Sequence, residues 1–399
     1  MSNSLVLFDR FAGRIDLFPI VATRPIGNLR IGAVTLDQKW SFLFQADVSF
    51  LTVDYLSSKF PLSISTASSL VIKASVLPNS MLIQALRNLK MNERLIDMDG
   101  EWIGFVTGAK SQEEILKDII SMDFKEVTFK EEYQSLKYVE DIFTYNASQI
   151  EFDVSHLNFE QYVPDEHLVS IGGDQCFIAK SANLSKCILN STSGAIVIQD
   201  NAVVEADCVI HGPAVIGKNV RVKTGTVIYP NVSIGDHSTI CGELNNVVIW
   251  GNSSKGHYGY LGCAVIGQGC NLGAGTTNSN LKNDWNTVKL YNYQAENFRD
   301  TGLLKCGVFI GDHSMLAISS KINTGTVIGV GAQIAMSNFI PKFVPDFSWY
   351  TDANAESYIF TKFVQMMARK AKVKNESFTK HEQDILQYIY KQTDNLRNN

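Results

Sequence analysis

Residues 198–240 read IQDNAVVEADCVIHGPAVIGKNVRVKTGTVIYPNVSIGDHSTI, and a β-branched aliphatic residue stands at every sixth position. These positions are Ile198, Val204, Ile210, Ile216, Val222, Ile228, Ile234 and Ile240. A step of six matches neither the 3.6-residue period of a helix nor the face alternation of a long strand. It fits very short strands joined by tight turns, each sending one aliphatic side chain into a common core. With three strands per coil, the stretch predicts a triangular prism in which Ile198, Ile216 and Ile234 stack on one wall.

The same step returns further along the chain, after an interruption at residues 241–259. The later positions are Tyr260, Ile266, Leu272, Ile310, Leu316, Ile322, Ile328, Ile334 and Ile340. A second interruption, the excursion at residues 276–307, separates Leu272 from Ile310. We expect the prism to bulge at both interruptions, and a long insertion in a compact repeat is usually a functional loop. Pro341 and Pro345 are expected to end the coils.

Composition excludes several classes of protein. A hydrophobic content of 45% and a charged content of 19% are ordinary for a globular protein of 399 residues. The net charge of -5 argues against a nucleic-acid binder, which usually needs a basic surface. No apolar run is long enough for a membrane span, and the first residues, MSNSLVLFDR, show no secretory leader. Seven cysteines without CxxC spacing indicate small buried residues in a reducing cytoplasm.

Glycine usage divides the chain, because only six of the 28 glycines precede residue 171. We expect an α/β domain over residues 1–165, the prism over 166–345 and a helical hairpin over 346–399. In the first domain, β-rich runs lie at 5–8, 40–51 and 69–76, and Asn79 and Ser111 are predicted to cap helices over 81–89 and up to 120. A capping box at Thr379 predicts the second helix of the hairpin.

One string inside the prism indicates chemistry. Residues 256–276 read GHYGYLGCAVIGQGCNLGAGT. This string resembles the acetyltransferase segment of the bifunctional glucosamine-1-phosphate N-acetyltransferase/N-acetylglucosamine-1-phosphate uridylyltransferase family. The resemblance implies a left-handed parallel β-helix, an exception to the usual right-handed crossover. It also implies a homotrimer with sites between neighbouring prisms, acetyl-CoA as the donor, and a place in UDP-N-acetylglucosamine or related sugar-nucleotide synthesis.

The resemblance assigns roles to individual positions. His257 takes the place of the family's general base, and an imidazole with a pKa near 6.5 can accept the proton that an amino sugar must lose before its amine attacks a thioester. The implied sugar-binding positions are Tyr260, Asn271, Asn280 and Lys282, and the implied coenzyme A positions are Ala274 and Ala335.

Two departures from the family leave the acceptor open between a sugar phosphate and a sugar nucleotide. Tyr229 and Asn245 stand where the family has the arginine and lysine that hold the sugar phosphate. The candidates for a replacement charge are Lys255, Lys282, Lys289 and Arg221. The histidines of the prism lack the HxxxxH element of metal-binding β-helices, so a metal site there is not favoured.

The N-terminal region lacks the glycine loop of standard sugar nucleotidylyltransferases. Residues 23–40, TRPIGNLRIGAVTLDQKW, resemble instead a divergent Bacteroidetes-type branch of the same bifunctional family. The resemblance implies phosphate contacts from Arg24, Arg30 and Lys39, with Gly32 admitting the backbone. It also implies Mg²⁺ if the domain is active, with Asp97 and Asp99 as candidate ligands. Two alternatives stay open: an inactive N-terminal domain, and an active one whose β-helix is only a trimerisation or regulatory scaffold.

Overall fold

The computed structural model describes residues 4–65, 67–160, 169–172 and 175–397. The chain forms two compact units. The first comprises Met1–Arg14, Arg24–Leu29 and Val34–Lys137, and the second comprises Ile15–Thr23, Arg30–Ala33 and Tyr138–Asn399. The expected boundary at 165/166 lies outside the described residues, and the boundary at 345/346 stays a prediction. Among the helices described, none has the length and apolar character that crossing a membrane would require.

A six-stranded sheet with helices forms the first unit, as the α/β prediction requires. The strands up to residue 128 are β1 (Ser4–Phe8), β2 (Arg30–Ile31, in the second unit), β3 (Val34–Thr35), β4 (Asp47–Leu51), β5 (Ser69–Lys73), β6 (Glu93–Ile96), β7 (Trp102–Thr107) and β8 (Lys125–Thr128). The sheet order is β4-β1-β5-β7-β6-β8, with β1 parallel to both neighbours and β7 antiparallel to both of its own. The helices are α1 (Leu36–Phe44), α2 (Ser80–Asn88) and α3 (Gln112–Ile120).

Side-chain caps determine where the helices of this unit begin. The Asn79 side chain accepts a hydrogen bond from the amide of Leu82, and that of Ser111 accepts one from the amide of Glu114, so both predicted caps are confirmed. The β-rich run predicted at 40–51 is wrong in its first half. Thr35 opens α1 with a capping box, which places residues 36–44 in a helix and leaves only β4 as strand.

Stacked coils form the prism in the second unit, and their strands fall into three columns of parallel pairs. Column A holds β10 (Cys176–Ile178), β13 (Ile196–Ile198), β16 (Ala214–Ile216), β19 (Val232–Ile234), the ends of β21 (Glu243–Ile249) and β23 (Tyr260–Ile266), β28 (Val308–Ile310), β31 (Thr326–Ile328) and β34 (Phe343–Val344). Column B holds β11 (Asn183–Leu184), β14 (Val203–Val204), β17 (Arg221–Val222), β20 (Thr239–Ile240), β22 (Ser254–Lys255), β24 (Asn271–Leu272), β29 (Met315–Leu316), β32 (Gln333–Ala335) and β35 (Ser348–Thr351). Column C holds β9 (Val169–Ile171), β12 (Ile188–Asn190), β15 (Val209–His211), β18 (Val227–Ile228), the starts of β21 and β23, β25 (Thr277–Asn278), β30 (Lys321–Ile322) and β33 (Phe339–Ile340).

The predicted core of the prism is confirmed. Ile198 pairs with Ile216, and Ile216 pairs with Ile234, on one wall. All eight six-step positions between residues 198 and 240 are at most 1% exposed. The β-helix architecture therefore follows from the repeat, while its left hand stays a prediction carried by the resemblance.

Three details of the repeat differ from expectation. Tyr260 is not an inward position, because Leu261 is the fully buried residue there. The chain shortens rather than bulges at residues 241–259, because β21 runs from column C into column A without a separate turn. β23 does the same directly after that stretch. The coils also continue past Pro341, because β34 and β35 extend columns A and B.

The remaining elements of the second unit flank the coils. The excursion carries an antiparallel hairpin of β26 (Lys289–Asn292) and β27 (Asn297–Asp300), and β36 (Ala355–Ser357) pairs with β35. The helices are α4 (Asp141–Thr144), α5 (Asn146–His156), α6 (Phe360–Lys374), α7 (Lys380–Gln392) and α8 (Asp394–Arg397). The capping box at Thr379 is confirmed, with Glu382 as its partner.

Candidate active site

His257 lies on the turn between β22 and β23, where column B passes into column C. We call the stacked turns at this edge of the prism the BC corner. The His257 side chain is exposed. The turn ends at Gly259, whose φ is +126°, and a Cβ there would collide with the carbonyl oxygen of Thr276 on the next coil. Glycine at this position therefore allows the turn to present the imidazole outward.

The predicted coenzyme A positions follow His257 along the same corner. The amide of Gly275 donates to the carbonyl of Tyr258 at 3.1 Å, so Ala274 lies one coil beyond the histidine. The amide of Ser319 donates to the carbonyl of Ala274 at 2.6 Å. On the coil after that, Ala335 ends β32 and is exposed. The BC corner thus combines an exposed imidazole with a line of small residues on the coils that follow.

Tyr260 and Asn280 are brought together on column C. Asn280 Nδ2 donates to the Tyr260 hydroxyl oxygen at 3.1 Å. The phenol lies over Gly262, where a Cβ would collide with the hydroxyl. Burial raises the pKa of Tyr260, and the nearby Cys263 and Glu243 raise it further. The hydroxyl therefore keeps its proton and remains a hydrogen-bond donor at neutral pH.

The other two predicted sugar-binding residues are Asn271 and Lys282. Asn271 is exposed on column B, which meets column C at the BC corner. Lys282 forms an ion pair with Asp284 at 3.1 Å. Tyr229, which replaces a basic residue of the family, stacks on His211 with their rings 4° from parallel.

Asn278 is a site residue that the repeat concealed. It occupies the inward position of β25 and is 3% exposed. Its Oδ1 accepts from the amide of Gly262 at 2.8 Å, and its Nδ2 donates to the carbonyl of Gly262 at 3.0 Å. The side chain thus satisfies both backbone groups of the glycine beneath Tyr260. Position 278 lies six residues after Leu272, so a polar residue at a predicted core position was the available signal.

Lys255 occupies a second inward position, on β22, and is 2% exposed. Its Nζ donates to the carbonyl oxygen of His257 at 2.5 Å and to that of Cys241 at 3.2 Å. Burial lowers the pKa of Lys255 to about 8. Because this ammonium group faces backbone carbonyls inside the prism, it does not supply the charge proposed for a sugar phosphate. Arg221, another such candidate, is paired with Glu205 at 2.5 Å.

Two of the predicted nucleotide-binding residues lie in the first unit, and both are buried. Arg24 is 5% exposed, and its carbonyl accepts a hydrogen bond from Arg14 Nη2 at 2.9 Å. Lys39 is fully buried within α1. Their contact with a nucleotide stays a prediction.

The other two lie in the second unit and have structural contacts there. Arg30 Nη2 is 3.5 Å from the Asp236 carboxylate, and its Nη1 donates to the carbonyl of Ala33 at 3.2 Å. The amide of Gly32 donates to Asn146 Oδ1 at 2.8 Å, and its φ of +76° favours glycine. Their role toward a nucleotide likewise stays a prediction.

The carboxylates suggested for Mg²⁺ lie on one turn, where Asp97 accepts several hydrogen bonds. Asp97 Oδ1 accepts from the amides of Asp99 and Glu101 at 3.0 and 2.9 Å, and its Oδ2 accepts from the Tyr133 hydroxyl at 2.8 Å. Burial alone would raise the pKa of Asp97, but these hydrogen bonds hold it below its usual value. Across the described ranges, no cluster of three or more His, Cys, Asp or Glu side chains is placed to hold a metal ion. Asp97 therefore organises this turn, and the role of Asp97 and Asp99 toward Mg²⁺ stays a prediction.

Comparison with known proteins finds a family model and relatives that each match part of the chain. A family model described as sugar nucleotidyl transferase matches residues 5–161. The bifunctional protein GlmU of Ruthia magnifica is 34% identical over 164 residues, which cover 41% of this chain and 31% of that protein. GlmU of Wigglesworthia glossinidia brevipalpis is 28% identical over 162 residues, with the same two coverages of 41% and 31%. The chain thus spans about a third of the length of these relatives, and the matches confirm the resemblance that the motifs indicate.

Solved structures of acyltransferases align with part of the chain. UDP-N-acetylglucosamine acyltransferase of Francisella novicida covers 55% of this chain and 86% of its own, at 20% identity and a TM-score of 0.26. AntD, an N-acyltransferase from Bacillus cereus, covers 52% of this chain and 92% of its own, at 15% identity and a TM-score of 0.21. At these TM-scores the likeness adds nothing to the architecture described above.

Proposed function

We propose that the chain is a transferase whose prism moves an acetyl group from acetyl-CoA to the amine of an amino-sugar phosphate, such as glucosamine 1-phosphate. A sugar-1-phosphate nucleotidyltransferase-like unit is fused to it. The observation that carries the proposal is the BC corner, where the exposed His257 is followed by Ala274 and Ala335 on later coils. The match of residues 5–161 to a sugar nucleotidyl transferase model supports the second half.

The chemistry assigned to the corner needs one base and one electrophile. His257 accepts a proton from the amino group of the sugar, and the amine nitrogen then attacks the thioester carbonyl carbon. The amides of the glycine turns on this corner are the donors that we assign to the resulting oxyanion. The carbon–sulfur bond then breaks, and the departing thiolate takes the proton that His257 holds. The attacking nitrogen loses its second proton to the freed imidazole and from there to water, so the products are the N-acetyl sugar, the coenzyme A thiol and one proton released to solvent. Tyr260 and Asn280 are assigned to the sugar, because they form one polar pair beside the turn.

A homotrimer in the cytoplasm completes the proposal. Asn271 lies on column B and Tyr260 lies on column C, on two faces that meet at His257. In a trimer of prisms each face would border a different neighbouring copy, so the two residues would serve sites that are completed by another chain. Sedimentation analysis tests the assembly, and a monomer at micromolar concentration would contradict it.

The second candidate is a nucleotidyltransferase whose prism is only a scaffold. The replacement of two basic positions by Tyr229 and Asn245 favours it, because the phosphate of the acceptor loses its expected partners. Isothermal titration with acetyl-CoA separates the candidates. The acetyltransferase binds the donor with micromolar to millimolar affinity, as is usual for enzyme substrates, and a scaffold does not bind it.

A screen of acceptors then tests the substrate class. Thiol release from acetyl-CoA is followed with amino-sugar 1-phosphates, amino-sugar 6-phosphates and nucleotide-linked amino sugars. Turnover only with nucleotide-linked acceptors would move the assignment from a sugar phosphate to a sugar nucleotide, with the same donor. For the first unit, release of pyrophosphate from UTP and a sugar 1-phosphate is the matching assay, and its absence would leave the unit without the proposed nucleotidyltransferase activity.

A further inference from the structure

Lysine side chains hold the main chain on both sides of His257. Lys255 donates from Nζ to the carbonyl oxygen of His257 at 2.5 Å. Lys223, which lies on the BC corner two coils earlier, donates from Nζ to the carbonyl oxygen of Gly256 at 3.0 Å. Two successive carbonyls of the turn therefore each accept a hydrogen bond from an ammonium group. Such charge-assisted bonds are roughly twice as strong as neutral ones.

Packing in the core of the prism does not require a lysine at position 255. Its partner on the preceding coil is Ile240, and the surrounding core consists of buried aliphatic residues. Removing an ammonium group from water costs free energy that an aliphatic side chain would not cost. The lowered pKa of Lys255 reflects this cost. A residue that weakens the core and also bonds the carbonyl of His257 is best explained by what it does to the turn.

Two glycine turns leave room for this ammonium group. Gly242 and Gly259 have φ values of +96° and +126°, and they lie on successive coils. A Cβ at Gly242 would stand 3.2 Å from Lys255 Nζ, and a Cβ at Gly259 would stand 3.3 Å from it. Side chains at these two glycines would crowd the lysine head group, so the glycines and the lysine form one arrangement.

We propose that Lys255 is a positioning residue for His257. By holding the His257 carbonyl it fixes the peptide that carries the imidazole. The ring then keeps one position relative to Ala274 and Ala335, the residues assigned to acetyl-CoA. Lys223 secures the preceding peptide in the same way. Lys255 lies inside the prism and makes no contact with substrate. The inference rests on the proposed acetyltransferase function, in which His257 is the base.

Kinetics of Lys255→Met tests the proposal. Methionine has a similar length, fits an aliphatic core and cannot donate a hydrogen bond. The kcat of acetyl transfer is expected to fall about 10- to 100-fold, because a displacement of about 1 Å costs this much. KM for acetyl-CoA should stay within about threefold, because the variant leaves Ala274 and Ala335, the residues assigned to acetyl-CoA, unchanged. The thermal midpoint should be unchanged or higher, because a buried charge is removed.

The matched control is Lys218→Met, because Lys218 is a half-exposed lysine of the same prism that pairs with Asp200 at 3.2 Å. Its kcat should equal that of the wild type. A kcat of Lys255→Met within about twofold of the wild type would overturn the proposal, since a misplaced base is expected to cost far more. A loss of kcat together with a lowered thermal midpoint would also overturn it, because the effect would then be general destabilisation.

Hydrogen exchange gives a measurement that does not depend on activity. The reporting amides donate to carbonyls of the turn, and they belong to Cys241, Glu243 and Gly275. In Lys255→Met and in Lys223→Met these amides should exchange about tenfold faster, the effect of losing about 1.4 kcal/mol of local protection. Unchanged exchange in both variants would overturn the proposal. Faster exchange in the variants, together with a wild type that never releases coenzyme A, would support stabilisation of the turn by the two lysines and would refute the acetyltransferase assignment.

Discussion

The carboxyl group of Asp346 makes the stability of the prism depend on pH in an unusual direction. Asp346 is fully buried on the turn between β34 and β35. Its Oδ1 accepts a hydrogen bond from the amide of Val330 at 2.6 Å, and Arg397 Nη1 donates to its main-chain carbonyl at 3.1 Å. Burial raises the pKa of Asp346 to about 6, although the Val330 amide and the Arg397 charge oppose the rise.

The size of the effect follows from this pKa. The carboxyl group binds its proton more tightly in the folded chain than in the unfolded chain, whose pKa is about 3.9. The folded state is therefore favoured below pH 4, and this contribution is lost as the pH rises to about 6. A difference of about two pKa units corresponds to about 3 kcal/mol at pH 7. Asp346→Asn keeps an oxygen acceptor for Val330 and cannot ionise, so it should avoid this loss.

Urea denaturation of both proteins between pH 4 and pH 7.5 measures the effect. The free energies of unfolding should agree near pH 4, and the Asn variant should be more stable by up to about 3 kcal/mol at pH 7. Comparing the two proteins at each pH removes the contribution of all other titrating groups. A difference that does not change with pH would refute the reasoning, because Asp346 would then be ionised at its ordinary pKa.

The polar cluster at Tyr260 gives two further predictions. Gly262→Ala should displace the phenol and raise KM for the acceptor about tenfold, the loss of about one hydrogen bond, while KM for acetyl-CoA is unchanged. Gly108→Ala, at a position where a Cβ makes only an ordinary contact with Met91 Sδ at 3.8 Å, is the control, and equal effects of the two changes would contradict this role of Gly262. Asn278→Ala should lower the free energy of unfolding by about 2–4 kcal/mol, because both backbone groups of Gly262 lose their partner. Equal stability in urea denaturation would show that water replaces the amide.

The repeat was readable from the sequence because each coil needs one aliphatic side chain per wall. That rule is a matter of packing, and it holds at Ile198, Ile216 and Ile234 without reference to distant parts of the chain. It fails where the geometry changes. β21 and β23 pass through an edge of the prism without a separate turn, so the phase of the repeat moves and Leu261 replaces Tyr260 in the core.

The polar core residues were not predicted, although Asn278 keeps the six-residue step from Leu272. Lys255 and Asn278 stand at inward positions, where a count of hydrophobic residues shows only a gap in the pattern. Their partners are main-chain atoms of neighbouring turns, and sequence does not show which turn lies above which. The role of His257 could be proposed from the sequence, because the resemblance rests on residues that are adjacent in the chain, and that role stays a prediction.

At the N-terminal positions, the sequence does not show what surrounds the basic side chains in the folded chain. The resemblance assigns Arg24, Arg30 and Lys39 to a phosphate, and that role stays a prediction. All three are buried, and Arg30 pairs with Asp236, a residue more than 200 positions away. Long-range packing of this kind is decided by the whole fold, so a local string does not reveal it.

Release of coenzyme A by the wild type and by His257→Ala tests the central claim most directly. The assay follows the free thiol with acetyl-CoA and glucosamine 1-phosphate, or with the acceptor found by the screen. The side chain is exposed, so the variant should keep its fold, which circular dichroism checks. The account predicts a fall in kcat of about 10²- to 10⁴-fold, the usual contribution of a general base. Turnover equal to that of the wild type would contradict it.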